Sequence, residues 1–390
     1  MWIWYSSPPR NTNSPDILAK EDTLESFGHE NKVLCVVVSH DSARAVTSSL
    51  DGTIIVWDTA NGTVLQEWTA HEKLLLGNLA LSPDSRWLIS AESCDITVWD
   101  IDFNLNSDAA PPKAAVLEGH TNMINSSAWS PDHALIASAS MDRTVRIWDG
   151  YTYRQRDLLE LQEGTSPWKP SSLQFSPNSR YLAWISGGTA CCLWRPLTGE
   201  EPKTLSPYPD RRDIRTTAFS FDHKSRCIAT AHGNWCRDPY ACVVRIWEAA
   251  TGTALAVLTG HSKIVRHISF SPEGRSLFSM ADDMSMQVWD FGTRSGDSEA
   301  MGVFRLAKSL SSGGRYCVRP DGKYIATGSV KGLVRLWRTN DGRCIAKFRE
   351  HDHDTGSVTH ITFSPNGKFL VSGNTNGVVH IRCISRFIRE

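Results

Sequence analysis

A histidine, a hydroxyl and an aspartate recur together three times in this sequence of 390 residues, always with the same spacing. The hydroxyl follows the histidine by 18 positions, and the aspartate follows the hydroxyl by four. The sets are His29, Thr47 and Asp51, then His120, Ser138 and Asp142, and then His261, Ser279 and Asp283. A serine, a histidine and an aspartate can carry out hydrolysis, because the histidine takes the serine's proton while the aspartate orients the imidazole.

A tryptophan six positions after each aspartate argues against hydrolysis. These tryptophans are Trp57, Trp148 and Trp289. A buried indole N–H needs an acceptor, and a hydroxyl can accept from it while donating to an imidazole. The aspartate then selects the imidazole tautomer. We therefore interpret each set as a structural hydrogen-bond relay, and we expect the chain to contain no catalytic residue and no cofactor.

The relays belong to a larger repeat. Strands of one type end in Trp57, Trp99, Trp148, Trp194, Trp247, Trp289 and Trp337, at separations of 42 to 53 residues. An eighth strand, "VVHIRC", carries Arg382 in place of the tryptophan, so we expect its relay to be broken and its unit to be the weakest. Strands that close in a Ser-Pro turn precede most of them, and a further strand follows. Four strands in each unit of 40 to 50 residues are typical of a propeller blade.

The Gly-His pairs of "EGH" and "TGH", each followed by Trp-Asp, resemble the WD-repeat β-propeller family from about Asp22 to the end of the chain. Within that family the chain is most similar to free-standing fungal WD-repeat proteins. The resemblance implies an all-β fold, a single closed β-propeller of four-stranded antiparallel blades. Eight blades fit the repeat count, and seven is the alternative if the degenerate fourth unit or the last unit falls outside the ring.

The ring needs a strand from the N-terminus, because only "ISRFIRE" follows the last repeat. We expect residues 22–27 to supply the outer strand of the final blade, which would protect an open edge. Residues 1–21 then form an N-terminal segment, and residues 22–390 the propeller. The predicted blades are 29–68, 71–118, 120–160, 165–205, 210–259, 261–308, 312–349 and 351–390.

Blades four and five depart most from the repeat, and blade five contains an insertion, "HGNWCRDPYA". The resemblance implies that the loops before the first strand and between the second and third strands share one face, the top. It would gather there Trp168, Tyr208, Arg211, Arg212, Trp235, Arg237 and Tyr240. These residue types are enriched at interaction hot spots. We interpret the group as a partner-binding surface, and the alternative is that the aromatic side chains only pack their own loops.

The composition narrows the possible functions. A net charge of −1 argues against a nucleic-acid partner, and no apolar run reaches the roughly 20 residues that span a bilayer. The ten cysteines form no C-x-x-C pair, and no secretory signal is evident, so we expect a cytoplasmic or nuclear protein. The loop "EHDHDTGS" could hold a metal, but we assign it to the relay position of blade eight and expect no metal site.

The function that follows is a non-catalytic scaffold for protein–protein interaction. We expect one or more protein or peptide partners, no membrane partner, a role as subunit or adaptor of a larger complex, and a propeller that is monomeric on its own. The alternative is a propeller that binds a small molecule, or acts as an enzyme, in its central channel or top funnel.

Overall fold

The computed structural model describes residues 23–70, 75–102, 109–161, 170–206, 213–234, 241–271, 274, 276–283, 285–290, 300–305, 315–349 and 356–388. Within these ranges the chain folds into eight four-stranded antiparallel sheets and one short 3-10 helix, Ser385–Phe387. The sheets are the eight blades of a closed β-propeller, as the repeat count predicts. The degenerate fourth unit and the last unit both lie in the ring, so the seven-blade alternative is wrong.

The four strands of each blade are called a to d from the centre of the ring outwards. Blade one contains β2 (Val33–Val38), β3 (Arg44–Ser49), β4 (Thr53–Asp58) and β5 (Val64–Thr69). Blade two contains β6 (Leu75–Leu81), β7 (Trp87–Glu92), β8 (Asp95–Asp100) and β9 (Lys113–Leu117). Blade three contains β10 (Ile124–Trp129), β11 (Leu135–Ser140), β12 (Thr144–Asp149) and β13 (Gln155–Glu160). Blade four contains β14 (Ser171–Phe175), β15 (Leu182–Ser186), β16 (Ala190–Trp194) and β17 (Lys203–Leu205).

The second half of the ring repeats this order. Blade five contains β18 (Arg215–Phe221), β19 (Cys227–Gly233), β20 (Val243–Glu248) and β21 (Ala254–Thr259). Blade six contains β22 (Val265–Phe270), β23 (Ser276–Ala281), β24 (Ser285–Asp290) and β25 (Ala300–Arg305). Blade seven contains β26 (Arg315–Val318), β27 (Tyr324–Gly328), β28 (Leu333–Arg338) and β29 (Cys344–Arg349). Blade eight contains β30 (Val358–Phe363), β31 (Phe369–Asn374), β32 (Val378–Cys383) and, as its outer strand, β1 (Thr23–Phe27).

The N-terminal strand closes the ring as expected. β1 pairs antiparallel with β32 from Thr23 opposite Arg382 to Phe27 opposite Val378. This pairing covers the edge that β32 would otherwise leave open and joins the two ends of the chain without a covalent bond. The expected N-terminal segment, residues 1–21, lies outside the described part of the chain.

The core lies between blades rather than inside them. Strand b is buried along its whole length in blade one, because a blade has neighbours on both of its faces. One cluster shows the arrangement: Val46 and Val56 of blade one pack with Leu79, Leu88 and Trp99 of blade two. Each blade therefore depends on the next for burial of its apolar side chains, as in other repeat proteins.

Turns between strands a and b link the blades on the bottom face. Ser42, Ser85, Ser179 and Ser225 stand in these turns with φ between 57° and 62°, a region that non-glycine residues rarely occupy. Each serine hydroxyl accepts an N–H from the same turn of the preceding blade, for example from Asp132 to Ser179 at 3.0 Å. The bond between blades offsets the cost of the backbone conformation at these serines.

Candidate functional site

Blade three contains a continuous chain of buried hydrogen bonds. The Nε1–H of Trp148 donates to the hydroxyl of Ser138 at 2.9 Å, and that hydroxyl lies 2.8 Å from Nε2 of His120. Nδ1 of His120 lies 2.8 Å from the carboxylate of Asp142. Because the Ser138 oxygen accepts from the indole, its own proton goes to Nε2, and Nδ1–H then donates to the carboxylate. The structure brings all four residues of this set together. The Ser138 hydroxyl already accepts one hydrogen bond and donates another.

The other two sets share most of these contacts. In blade six the relay runs from Trp289 to Ser279 and His261, each step at 2.8 Å. In blade one Trp57 donates to Thr47 at 2.8 Å, and Thr47 lies 2.7 Å from His29. The third link differs between them, because the carboxylate lies 3.3 Å from Nδ1 at Asp283 but 3.7 Å at Asp51.

A fifth relay member follows each aspartate by two positions, and the sequence analysis missed it. Thr53 Oγ1 lies 2.7 Å from Nδ1 of His29 and 2.5 Å from Asp51, so in blade one the hydroxyl connects the imidazole to the carboxylate. Thr144 and Ser285 occupy the same place in blades three and six. The signal is present in the sequence as Asp-Gly-Thr, Asp-Arg-Thr and Asp-Met-Ser.

The glycine before each relay histidine leaves room for a side chain from strand c. A Cβ at Gly119, whose φ is 149°, would lie 2.7 Å from the guanidinium of Arg146. The equivalent atom at Gly260 would lie 2.8 Å from the amide of Gln287. The strand-c side chain passes directly over the Gly-His peptide, so only glycine fits there without displacing it.

Burial decides the charge state of the relay. It lowers the pKa of His29 to about 4, although the nearby Asp51 opposes the change, and it also lowers the pKa of His120. Burial alone would raise the pKa of Asp142, but hydrogen bonds from Thr144, from the Thr121 N–H and from His120 outweigh it and bring that pKa to about 2. In blades one and three a neutral imidazole and a charged carboxylate therefore coexist at neutral pH.

A substrate could not reach the relay hydroxyls. Thr47 and Ser138 are fully buried, and Ser279 is 1% exposed. Each already accepts from a tryptophan, and a hydrolytic serine must be free to attack a carbonyl. The geometry therefore supports a structural role for these three sets.

Other blades use parts of the relay. In blade five Trp247 donates to Thr230 at 2.7 Å, and His232 from strand b, rather than from the preceding loop, lies 2.7 Å from that hydroxyl. In blade eight Nη1 of Arg382 donates to Ser372 at 3.2 Å, in the position of the indole N–H. The expectation that Arg382 breaks the relay is wrong for this first link, because a guanidinium donates as an indole does.

Blade four has no relay hydroxyl. Trp184 takes the position of Ser138, and the Nε1–H of Trp194 donates instead to the backbone carbonyl of Glu200 at 2.9 Å. Trp184 is fully buried, and its Nε1–H has no acceptor among the residues that the structure describes. Apolar packing has replaced the hydrogen-bond chain in this blade.

All seven residues of the expected partner surface lie outside the described part of the chain. They are Trp168, Tyr208, Arg211, Arg212, Trp235, Arg237 and Tyr240. The described residues beside them are informative. Asp213 follows residues 207–212 and Asn234 precedes residues 235–240, and the Asn234 amide donates to the Asp213 carboxylate at 3.1 Å. Asn234 is 3% exposed, whereas Asp213 is exposed, so this half-buried bond links the two positions on the top of blade five.

Neither a metal-binding group nor a membrane-spanning helix is present among the described residues. The described residues include no group of three or more His, Cys, Asp or Glu side chains that could hold a metal ion, and the loop with His351, Asp352, His353 and Asp354 lies outside them. Among the same residues, no helix is long and apolar enough to cross a membrane.

Comparison with known families agrees with the fold. The family model described as "WD domain, G-beta repeat" matches residues 21–58, 62–100, 112–149, 252–290, 308–338 and 342–382. The matches cover more than half of the chain. Blade four and the first three strands of blade five, which depart from the relay pattern, fall between the third and fourth matches.

Three similar proteins carry different names. The chain is 25% identical over 360 residues to Autophagy-related protein 16 of Arabidopsis thaliana, covering 90% of this chain and 55% of that protein. It is 23% identical over 280 residues to the guanine nucleotide-binding protein subunit beta of Zea mays, covering 68% and 69%. It is 27% identical over 287 residues to the nuclear distribution protein PAC1 of Arthroderma otae, covering 67% and 59%. The chain thus spans little more than half the length of two of them.

Proposed function

The chain belongs to the WD-repeat family, and from this premise we propose that it is a non-catalytic scaffold that binds one or more partner proteins. The side chains that resemble a hydrolase triad are occupied in holding strands together. Variable loops on a rigid ring are the remaining surface on which a partner can be recognised, and loops carry function disproportionately in such folds.

The binding surface in this proposal is the top of blades four and five, with Trp168, Tyr208, Arg211, Arg212, Trp235, Arg237 and Tyr240. The observation that carries it is the hydrogen bond between Asn234 and Asp213. This bond joins the points at which residues 207–212 end and residues 235–240 begin. Two segments rich in Trp, Tyr and Arg therefore start from neighbouring positions on one face, which favours a shared surface over two separate loops.

The names of the relatives support the general function and no particular process. One of them is called a subunit, which implies assembly with other chains. The other two names refer to autophagy and to nuclear distribution. Because the identities are 23% to 27% and the names point to different processes, the shared property that we transfer is partner binding on a propeller.

The test is a double variant, Trp235→Ala with Tyr208→Ala, compared with the wild type in crosslinked affinity purification and quantitative mass spectrometry. If the surface is a hot spot, the variant should lose about 2 kcal/mol or more of binding free energy and most of the recovered partner. Its melting temperature should stay close to that of the wild type if these two side chains serve binding rather than packing.

A matched control replaces two exposed residues away from this surface, Leu255→Ala with Arg343→Ala, and should recover the partner normally. Full recovery by the Trp235 and Tyr208 variant would show that the surface is wrong. A wild type that captures no specific protein even after crosslinking would overturn the scaffold function itself.

A further inference from the structure

A groove of about 550 Å³ opens on the bottom face between blades three and four. Its walls are the a–b and c–d turns of both blades, far from the top surface discussed above. The lining side chains that matter most are Leu135, Tyr151, Arg156, Arg180, Arg195 and Leu197. A volume of this size is typical of sites that hold a small ligand or a few side chains of a peptide.

One position in strand b contributes to the opening of the groove. Arg44, Trp87 and Leu135 are equivalent, since each pairs with the residue after the strand-c tryptophan in its own blade. Arg44 reaches into blade two and donates to the Ser85 carbonyl at 3.1 Å, and only 9% of it is exposed. Trp87 reaches into blade three and packs edge-on against Tyr153 at 6.3 Å. Leu135 is shorter than either side chain, so it lines the cleft without filling it.

The walls of the groove are fixed by hydrogen bonds that cross the blade boundary. At the inner end, the N–H of Asp132 donates to Ser179 at 3.0 Å. At the outer end, the N–H of Leu197 donates to the carboxylate of Asp157 at 3.2 Å. A ligand would therefore meet a cleft already in shape, which reduces the entropy lost on binding.

An exposed aromatic stack forms one wall. Tyr151 is 66% exposed, and its ring stacks on His133 with 5.2 Å between centroids and 9° between planes. His133 in turn packs edge-on against Trp129 at 4.8 Å. Leu197, across the groove, is 45% exposed. Two large apolar side chains held open to solvent on facing walls are a feature of interaction sites.

The acidic groups of the groove are already satisfied. The carboxylate of Asp149 forms an ion pair with Arg156 at 2.7 Å and accepts the N–H of Thr152 at 2.8 Å. The carboxylate of Asp132 accepts from the Ser130 hydroxyl at 2.6 Å and belongs to its own turn. These carboxylates stabilise the turns, so they do not indicate a binding site for a cationic ligand.

Two arginines of the groove can still bind an anionic group. Arg180 is exposed, and its guanidinium makes no ion pair or hydrogen bond with any residue that the structure describes. Arg195 meets Glu200 at 3.5 Å, and both side chains are about half exposed, which makes the pair weak. The groove can thus offer two guanidinium groups to an incoming carboxylate, for which arginine is well suited.

We propose that this groove binds a short extended peptide in which an aspartate or glutamate lies next to a leucine or an aromatic residue. The apolar side chain of the peptide covers Tyr151 and Leu197, and its carboxylate meets Arg180 and Arg195. The proposal depends only on the bottom face, so it holds whether or not the top of blades four and five binds a partner.

The experiment selects peptides from a random-sequence display library on the purified 390-residue chain. Enriched peptides should pair an acidic residue with an apolar one, and synthetic labelled copies should bind by fluorescence anisotropy. The variant Tyr151→Ala with Arg180→Glu should bind them about tenfold more weakly or worse. Binding to the wild type should weaken between low and moderate salt, because the carboxylate contact is exposed to screening.

Controls keep the outcome decisive. The variant Leu255→Ala with Arg343→Glu makes the same kinds of change elsewhere, and the top-face variant Trp235→Ala with Tyr208→Ala leaves the groove intact, so both should bind like the wild type. The single changes Arg180→Gln and Leu197→Ser test the two halves of the site if the double variant melts early. Failure to enrich any peptide, enrichment of basic peptides, or equal binding by the groove variants would overturn the proposal.

Discussion

Blade three holds its strands together through a buried hydrogen-bond relay, whereas its neighbour, blade four, uses aromatic packing. In blade three, Trp148 donates to Ser138. In blade four, Trp184 occupies the hydroxyl position, and Trp194 donates to a carbonyl in its own c–d turn. The outer strand β17 has only three residues. The relay is therefore one way to fix a blade, and the fold tolerates its loss where apolar side chains fill the space.

Both candidate interaction sites border blade four. The groove lies between blades three and four, and the proposed top surface includes Trp168, Tyr208 and Trp235 from the loops of blades four and five. Both proposed interaction surfaces thus lie in the part of the ring that departs most from the relay pattern.

The largest expected effect comes from truncating the relay tryptophan. Trp148→Ala removes a side chain that is 3% exposed and strands the hydroxyl of Ser138, so it should cost about 3–5 kcal/mol of unfolding free energy. Trp194→Ala removes similar packing but leaves unpaired only a carbonyl in a solvent-exposed turn. It should therefore lower the free energy of unfolding by about 1 kcal/mol less than Trp148→Ala does. Chemical denaturation followed by circular dichroism measures both, and equal costs would contradict a distinct role for the relay.

A smaller effect distinguishes Trp148 of blade three from Trp184 of blade four. Trp148→Phe keeps an aromatic ring but removes the N–H that Ser138 accepts, whereas Trp184→Phe removes an N–H that has no acceptor among the described residues. The first change should cost about 1–2 kcal/mol more than the second, because only the first leaves a buried partner unsatisfied. If Trp184→Phe proves the more damaging, the packing account of blade four is wrong.

The smallest effect is a pH dependence. Burial lowers the pKa of His120 below its ordinary value of 6.5, so the unfolded chain binds a proton more readily than blade three does. Stability should therefore fall as the pH drops below about 6.5, the unfolded value. The described part of blade four contains no histidine. Hydrogen-exchange protection factors at pH 5 should thus decrease more in blade three than in blade four, and an equal decrease would count against the neutral imidazole.

Much of the fold could be predicted from the sequence because its signals are local and repeated. The strand ending at Trp148 and the turn with Asp142 recur at nearly constant spacing, so strand order and blade count follow from counting. The N-terminal strand could be placed because the last unit, after Cys383, ends too early to form its own outer strand. These inferences needed no contact between different blades.

The features that the sequence analysis missed depend on contacts between blades or on chemical equivalence. Leu135 lines the groove at the position where Arg44 and Trp87 reach across a blade boundary, an equivalence that only the strand register reveals. Arg382 substitutes for an indole as a donor, which a search for tryptophan cannot find. Thr144, by contrast, was visible in the Asp-x-Thr spacing and was overlooked.

We propose that a partner docks on loops around blades four and five while the relay blades remain an unchanged frame. The most direct measurement is hydrogen–deuterium exchange of the full chain with and without a captured partner. The account predicts slower exchange around residues 207–213 and 234–240 in the complex, with the amides of β11 and β12 in blade three unchanged. Protection confined to blades one to three and six to eight, with none near Asp213 and Asn234, would contradict it.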